Sequence, residues 1–375
     1  MIFFSIGLLV LAAAAGFFFF QKNARKKPHQ ADRPVVVSHS AVASEPAPAP
    51  PVVRRAWRPI PRTLREFSFI RQTELEPQKI SNLKAKLRTI PRPPAALHKL
   101  VSADFLSSAT SSELSEIVLG EPEVAVKVLA VANSPLYGLQ QLVGNIEQAV
   151  KFLGVNTVRG VCLKFMLNDS IPEGSPEIKK VYEQLWNESA LACELCFKLA
   201  QLLKLEEPGT FVTQIVLVCL GRQATYSLME PADVLGIASQ GLLQRSVVEQ
   251  QKLGLASAEI GALLMEEWAL PNNLINIVKE IDATLVAPIG DTSTSRRTRN
   301  ALCYLCCRVA EELASGALTD LGTFDLASQD SDEYFHLQAY LELPSLAGVA
   351  DWMRSPAVTL SVNRMAQSMR VEQHD

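Results

Sequence analysis

Seven cysteines are the first candidates for chemistry in this 375-residue chain. Cys193 and Cys196 form one Cys-x-x-Cys pair; Cys303 and Cys306 form a second, followed at once by Cys307. Four thiolates at such spacing can hold zinc, which takes four sulfur or nitrogen ligands in a structural site. Yet both pairs sit inside helical periodicity. Leu191, Leu195, Leu199 and Leu202 flank the first, and Leu302, Leu305, Val309 and Leu313 flank the second. No Gly or Pro turns the chain beside either pair. Burial as small hydrophobes is therefore expected, with no metal and no cofactor. An odd number of thiols argues against a disulfide framework. Of the five histidines only His98 and His336 lie outside the N-terminal linker and the C-terminal tail. That is too few for a hydrolytic metal centre, in which each ion needs three or more protein ligands.

Asn133, Ser134, Tyr137 and Gly138 form a second candidate group. An Asn amide can cap a helix C-terminus, and a Tyr ring can pack while its hydroxyl bonds backbone. The group reads first as a corner fixing two helices, and second as a ligand or partner surface. Arg159 follows an apolar stretch near a helix start. It either braces two halves of the fold through a carboxylate or binds an anionic ligand, and the sequence does not choose between these. Trp186 and Trp268 are most simply core anchors.

The elements that position these residues read as helix after helix. Thr110 and Glu113 fit a capping box for a helix through Leu119. Pro122 suits the first turn of the next helix, which must stop near Asn133 because Pro135 cannot continue it. Ile146, Ala149, Val150 and Leu153 mark another, ended at Gly154. Helices are predicted over Leu185–Leu203, Phe211–Leu228, Ser257–Trp268, Pro271–Ile281 and Ala301–Ala314. Asp291–Arg299 reads as a polar connector, Leu337–Trp352 as a last helix, and Met365–Asp375 as a fraying end. No alternating run is long enough for a strand, so the fold class is all-α.

Several blocks carry a family resemblance. Ile90-Pro91-Arg92-Pro93-Pro94 opens the segment. Glu121-Pro122-Glu123-Val124 begins a helix running to Val131-Ala132-Asn133-Ser134-Pro135-Leu136-Tyr137-Gly138. Ile146-Glu147-Gln148-Ala149-Val150-Lys151-Phe152-Leu153-Gly154-Val155-Asn156-Thr157-Val158-Arg159 follows. These resemble the Ala-Asn-Ser-x-x-Tyr-Gly and Glu-x-Ala-Ile-x-x-Leu-Gly-x-x-x-Val-Arg stretches of the HDOD family, the HD-related output domain of bacterial signalling proteins. The likeness covers residues 84 to 285. The resemblance extends to HD phosphohydrolases, but the positions of their metal ligands are filled otherwise. Leu185-Trp186-Asn187-Glu188-Ser189 stands where such a protein has a His after its Trp. Val218-Cys219 stands at the His-Asp pair, Ser257 at a third His, and Ile281-Asp282 near a His-His pair. Cys219-Leu220-Gly221-Arg222 departs even from relatives that keep a vestigial His-Asp. The resemblance implies a multi-helix, degenerate HD-type bundle, a non-catalytic regulatory module with no particular ligand; the favoured reading is that it is not an enzyme and works by contact with a signalling protein. Binding of a nucleotide second messenger without cleavage stays open, although no Gly-rich phosphate loop is present. A phosphohydrolase with atypical ligands stays open too.

Charge is divided unevenly. Residues 21–72 carry 11 Lys or Arg against 3 Asp or Glu, and residues 1–20 carry none, so the whole-chain charge of −3 leaves −11 for residues 73–375. A body this acidic repels a phosphate backbone, and no nucleic-acid partner is expected. Met1–Phe20 is apolar apart from Ser5, Gly7 and Gly16, and at helical rise it spans about 30 Å, the thickness of a bilayer core. Lys22, Arg25, Lys26 and Lys27 follow it. Positive flanks stay in the cytoplasm, so this segment reads as a single-pass inner-membrane anchor with its N-terminus out and the body in the cytoplasm. Eight prolines between Pro28 and Pro61 make an extended spacer. The expected organisation is an anchor at 1–20, a basic Pro-rich linker at 21–72, an HDOD-like domain at 73–285 and a helical extension at 286–375.

Overall fold

The structure is a computed structural model that describes residues 59–134, 141–168, 174–290 and 293–372. The anchor, its basic flank Lys22, Arg25, Lys26 and Lys27, and most of the linker lie outside the described residues. Among the described residues there is no strand, and no helix is long and apolar enough to cross a membrane.

Among the described residues eighteen α-helices follow one another. They are α1 (Arg62–Glu66), α2 (Pro77–Leu87), α3 (Ala95–Leu100), α4 (Ala103–Ser108), α5 (Ser111–Leu119), α6 (Pro122–Ala132), α7 (Ile146–Leu153), α8 (Val155–Asn168) and α9 (Pro176–Leu202). Then come α10 (Pro208–Ser227), α11 (Pro231–Ile237), α12 (Leu242–Leu253), α13 (Ser257–Glu267), α14 (Asn272–Ile281), α15 (Thr294–Ser315), α16 (Leu337–Tyr340), α17 (Val349–Arg354) and α18 (Pro356–Glu372). The caps are local. Thr110 accepts from the Glu113 amide and Asn145 from the Gln148 amide. Gly154, at φ 84°, turns α7 into α8 in a conformation that L residues rarely adopt.

Two apolar cores share helices α9 and α10. The first half of α9, through Ile178, Tyr182, Leu185 and Trp186, packs with α2–α8, α13 and α14. Its second half, through Leu191, Leu195, Cys196 and Leu199, packs with α15 and the C-terminal segments. Helix α10 is buried nearly all round, which fits its apolar sequence and central place. It crosses α13 at Gly221 and Gly261. A Cβ on Gly221 would lie 2.8 Å from the Ser257 carbonyl oxygen, and one on Gly261 2.6 Å from the Gly221 Cα. Only glycine permits this approach of backbone to backbone.

Three expectations need correction. The expected connector Asp291–Arg299 contributes from Thr294 onward to α15, capped by Ser293 and tied to α14 by the 2.5 Å Arg296–Glu280 ion pair. The expected helix Leu337–Trp352 is broken, because Pro344 cannot continue it and Gly348 takes φ 80°. The last helix is α18, which runs through Met365 rather than fraying there. Val358, Val362 and Ala366 recur every four residues and are fully buried. The end of the linker is seated on the body. Leu64 enters the second core, the Ile70 amide donates to Gln250 Oε1 at 2.8 Å, and Arg71 pairs with Glu259 at 3.1 Å.

Candidate functional site

Five elements place charged side chains inside the second half of the fold. Helix α9 supplies Glu188, α10 supplies Arg222, and α12 supplies Arg245 and Glu249. Asp282 follows α14, and α15 supplies Arg308 and Glu311. Arg222 is 8% exposed and uses its whole guanidinium. Nη1 donates to Glu188 Oε2 at 2.6 Å and to Glu311 Oε1 at 3.2 Å, Nε to the Tyr226 hydroxyl at 3.0 Å, and Nη2 to the Ala238 carbonyl at 3.0 Å. Arg245 donates to the Gln240 carbonyl and to Glu311 Oε1, the latter at 2.7 Å. Arg308 pairs with Glu311 Oε2 at 2.8 Å and faces Glu333 at 3.7 Å. Three arginines thus converge on one carboxylate.

The electrostatics follow from burial and pairing. Burial pushes Glu311 up, but Arg245, Arg308 and Arg222 outweigh it, so its carboxyl lies below the usual range. Burial disfavours the charge on Arg308, yet Glu311 and Glu333 hold it well above the ordinary value. Asp282 differs. Burial pushes it to about 6 against the opposing charges of Arg308 and Arg245, which line the same cavity.

All five positions that the resemblance singled out meet here. Glu188, Val218, Cys219, Ser257 and Asp282 line one small cavity of about 40 Å³, together with Arg222, Arg245, Glu249, Arg308 and Glu311. Ser257 is held by Glu249, which accepts from its amide at 2.9 Å and from its hydroxyl at 2.7 Å. A larger chamber of about 450 Å³ shares the Arg222, Arg245, Arg308, Glu188 and Glu311 wall. Sequence reasoning noted Arg222 only as a departure and missed Arg245, Arg308 and Glu311. A charge inside an otherwise apolar helical stripe, as at Arg308 between Leu305 and Val309, was the available signal of a buried pair.

The other candidates lie elsewhere. Asn133 Oδ1 accepts from the Val143 amide at 2.7 Å and Nδ2 donates to the Val143 carbonyl at 3.0 Å, closing the corner after α6 as a backbone partner would. Ser134 ends that turn, its amide bonded to the Val131 carbonyl. Tyr137 and Gly138 lie outside the described residues. Arg159 is 1% exposed, donates from Nη2 to the Gly209 carbonyl, and has no carboxylate partner among the described residues. Burial lowers it to about 10. The side chain braces α8 against α10 through backbone and lines neither chamber. The two Cys-x-x-Cys pairs pack across α9 and α15, while Cys162 lies on α8 and Cys219 on α10. Burial raises Cys196, Cys303 and Cys306, and it raises Cys162 and Cys219 to about 12, so none is a ready thiolate. Among the described residues no group of three or more His, Cys, Asp or Glu is placed to hold a metal ion.

An all-helical body whose HD ligand positions converge on a charged cavity defines an HD-related output module. The HDOD domain model matches residues 90–284, more than half of the chain, and the chain belongs to the HDOD family. No curated protein matches it. Among solved structures, it is similar to a protein provisionally named a phosphohydrolase from Shewanella amazonensis SB2B. The two share 20% identity over 76% of this chain and 97% of that one, with a TM-score of 0.50. A provisionally named signal transduction protein from Marinobacter aquaeolei VT8 shares 18% identity over 82% of this chain and 64% of that one, with a TM-score of 0.50. An HDOD domain protein from Geobacter sulfurreducens shares 15% identity over 77% of this chain and 98% of that one, at a TM-score of 0.45. At these identities the likeness is one of fold.

Proposed function

We propose that this protein is a non-catalytic regulatory module of bacterial signal transduction, tethered to the inner membrane by residues 1–20 and acting through a protein partner. One observation carries the non-catalytic reading. Three guanidinium groups converge where a hydrolase of this fold gathers metal ligands, and they take the carboxylates that a divalent cation would need there. The shared-carboxylate geometry supports the same reading. Glu188 and Glu311, which a metal could otherwise use, are engaged by arginine. The tether rests on the apolar run 1–20, on the basic cluster that follows it alone, and on the Pro-rich spacer.

The full chain, purified in detergent, is expected to carry less than one equivalent of transition metal. It is expected to leave cyclic dinucleotides and phosphoesters intact. Metal-dependent turnover that vanishes in Glu188→Gln or Asp282→Asn would overturn the reading. Alkaline phosphatase fused after Pro61 is expected to be inactive, because the fusion point lies in the cytoplasm. Active phosphatase, or a mature N-terminus after Phe20, would show export instead.

A further inference from the structure

The larger chamber encloses about 450 Å³, inside the span of about 300–1,000 Å³ typical of small-molecule sites. Arg308 lines it from α15 and is 4% exposed. Its guanidinium is incompletely used. Nε has no acceptor among the described residues, and Nη1, though 2.8 Å from Glu311 Oε2, is out of line for a hydrogen bond. Buried donors left without acceptors mark a place where an acceptor is missing. The acceptor that a guanidinium suits best is a carboxylate or a phosphate.

One helical turn further on, Glu312 lines the same chamber. Residues four apart share a helix face, with about 5–6 Å between their Cβ atoms. Among the described residues no ion pair joins these two. Arg308 faces Glu311 and Glu333, and the Glu312 carboxylate accepts from the Tyr334 hydroxyl at 2.7 Å, a neutral donor. Burial, and next to it Glu333 and Glu311, hold the Glu312 carboxyl above its usual range against that hydrogen bond, as for a carboxylate short of counter-charge. One face of α15 thus offers donors that lack an acceptor and, a turn away, a carboxylate that lacks a cation. The rest of the lining narrows the class. Arg222, Arg245 and Arg308 stand against Glu188, Glu311, Glu312, Asp332 and Glu333. That balance opposes a ligand of net negative charge, a phosphate-bearing nucleotide included. A pure cation would leave the Arg308 donors empty. A ligand of no net charge that carries both a carboxylate and an ammonium satisfies both.

We propose that this chamber binds a zwitterionic α-amino acid, its carboxylate on Arg308 and its ammonium on Glu312. The two charged groups of such a molecule stand on one carbon, so side chains converging from adjacent turns of one helix can grip both by charge-assisted hydrogen bonds. The proposal deepens the non-catalytic reading of the same site, on which it rests: the module would sense an amino acid rather than cleave a phosphoester.

The test is calorimetric titration of the full chain in detergent with each of the common L-amino acids at fixed ionic strength. Saturable binding of at least one is expected at millimolar concentration or below. For that ligand, the amine lacking the carboxylate and the acid lacking the ammonium should each bind about tenfold more weakly, the size of one lost charged contact. In Glu312→Gln the amino acid should weaken by a similar factor, and the acid analogue should lose its disadvantage against it, because the partner of the ammonium is gone. Glu123→Gln, on the exposed side of α6, should leave binding unchanged. Melting curves of each variant establish that it folds; the two analogues decide on the parent chain alone if Glu312→Gln does not. The proposal is overturned if no amino acid binds saturably, if either analogue binds as well as its amino acid, or if a folded Glu312→Gln keeps the parent's preference. Failure of the non-catalytic reading would register separately, as metal-dependent turnover.

Discussion

At Arg222 a single side chain holds several elements. It touches Glu188 on α9, Glu311 on α15 and the Ala238 carbonyl beyond α11. Removing one partner of a buried pair leaves the other desolvated and alone, so Arg222→Met is expected to cost about 3–5 kcal/mol in urea unfolding. The double change with Glu188→Leu should cost less than Arg222→Met alone, since it removes one stranded charge as well. Equal or additive costs would show that the pair is not coupled. Asp282 makes the opposite case. Its folded pKa of about 6 lies above the ordinary 3.8, so the folded state holds its proton over a pH range where the unfolded state has lost it. That group therefore destabilises the fold progressively as pH rises from about 4 to 6, and by a constant amount above that. Asp282→Asn should raise stability by up to about 3 kcal/mol at neutral pH and by little near pH 4. A gain independent of pH would mean that Asp282 is not buried as a carboxylate.

At the scale of the element, the crossing of α10 and α13 sets the geometry of the network. Gly221→Ala would push a methyl group into the Ser257 carbonyl, where the obstacle is backbone and cannot swing aside. The helices must part, at about 1–3 kcal/mol. The shift would be felt at Ser257 and Arg222, which stand on the two sides of that contact. Unfolding of Gly221→Ala and Gly261→Ala should show this loss, and wild-type midpoints in both would refute the tight crossing. Legibility in the sequence follows the same physics. Helices α5, α6 and α7 were readable because Thr110, Pro122 and Gly154 mark their ends. Helix α12 was not, because its buried face carries Arg245, Ser246 and Glu249, which interrupt the apolar stripe. The charged network was invisible because its pairs join residues 34 and 89 positions apart, and a single sequence carries no sign of such pairing. The segments that hold the five ligand positions, in contrast, were each named from the sequence, and their convergence needed only the fold.

At the scale of the whole molecule, the path from linker to cavity is short. Residues 59–72 cross the C-terminal half as a strap. Thr63 lines the larger chamber and donates to Asp332, Leu64 fills the second core, and Gln250 clasps the strap from both sides through Ile70 and Ser68. Arg71 and the Gln72 amide then reach Glu259, 3% exposed at its side chain, which also pairs with Lys279 at 3.1 Å. A body that begins at residue 73 loses the Leu64 packing and leaves a face of the second core open to water. It also strips Glu259 of two of its donors. Removal of a buried Leu side chain alone costs about 2–5 kcal/mol. The body beginning at residue 59 is therefore expected to unfold at clearly higher urea than the body beginning at residue 73. Leu64→Ala in the longer chain should recover part of that difference. Identical midpoints for the two bodies would show that the strap merely rests on the surface. A strap that contributes to stability, in turn, makes residues 59–72 part of the body, with Thr63 in the wall of the larger chamber.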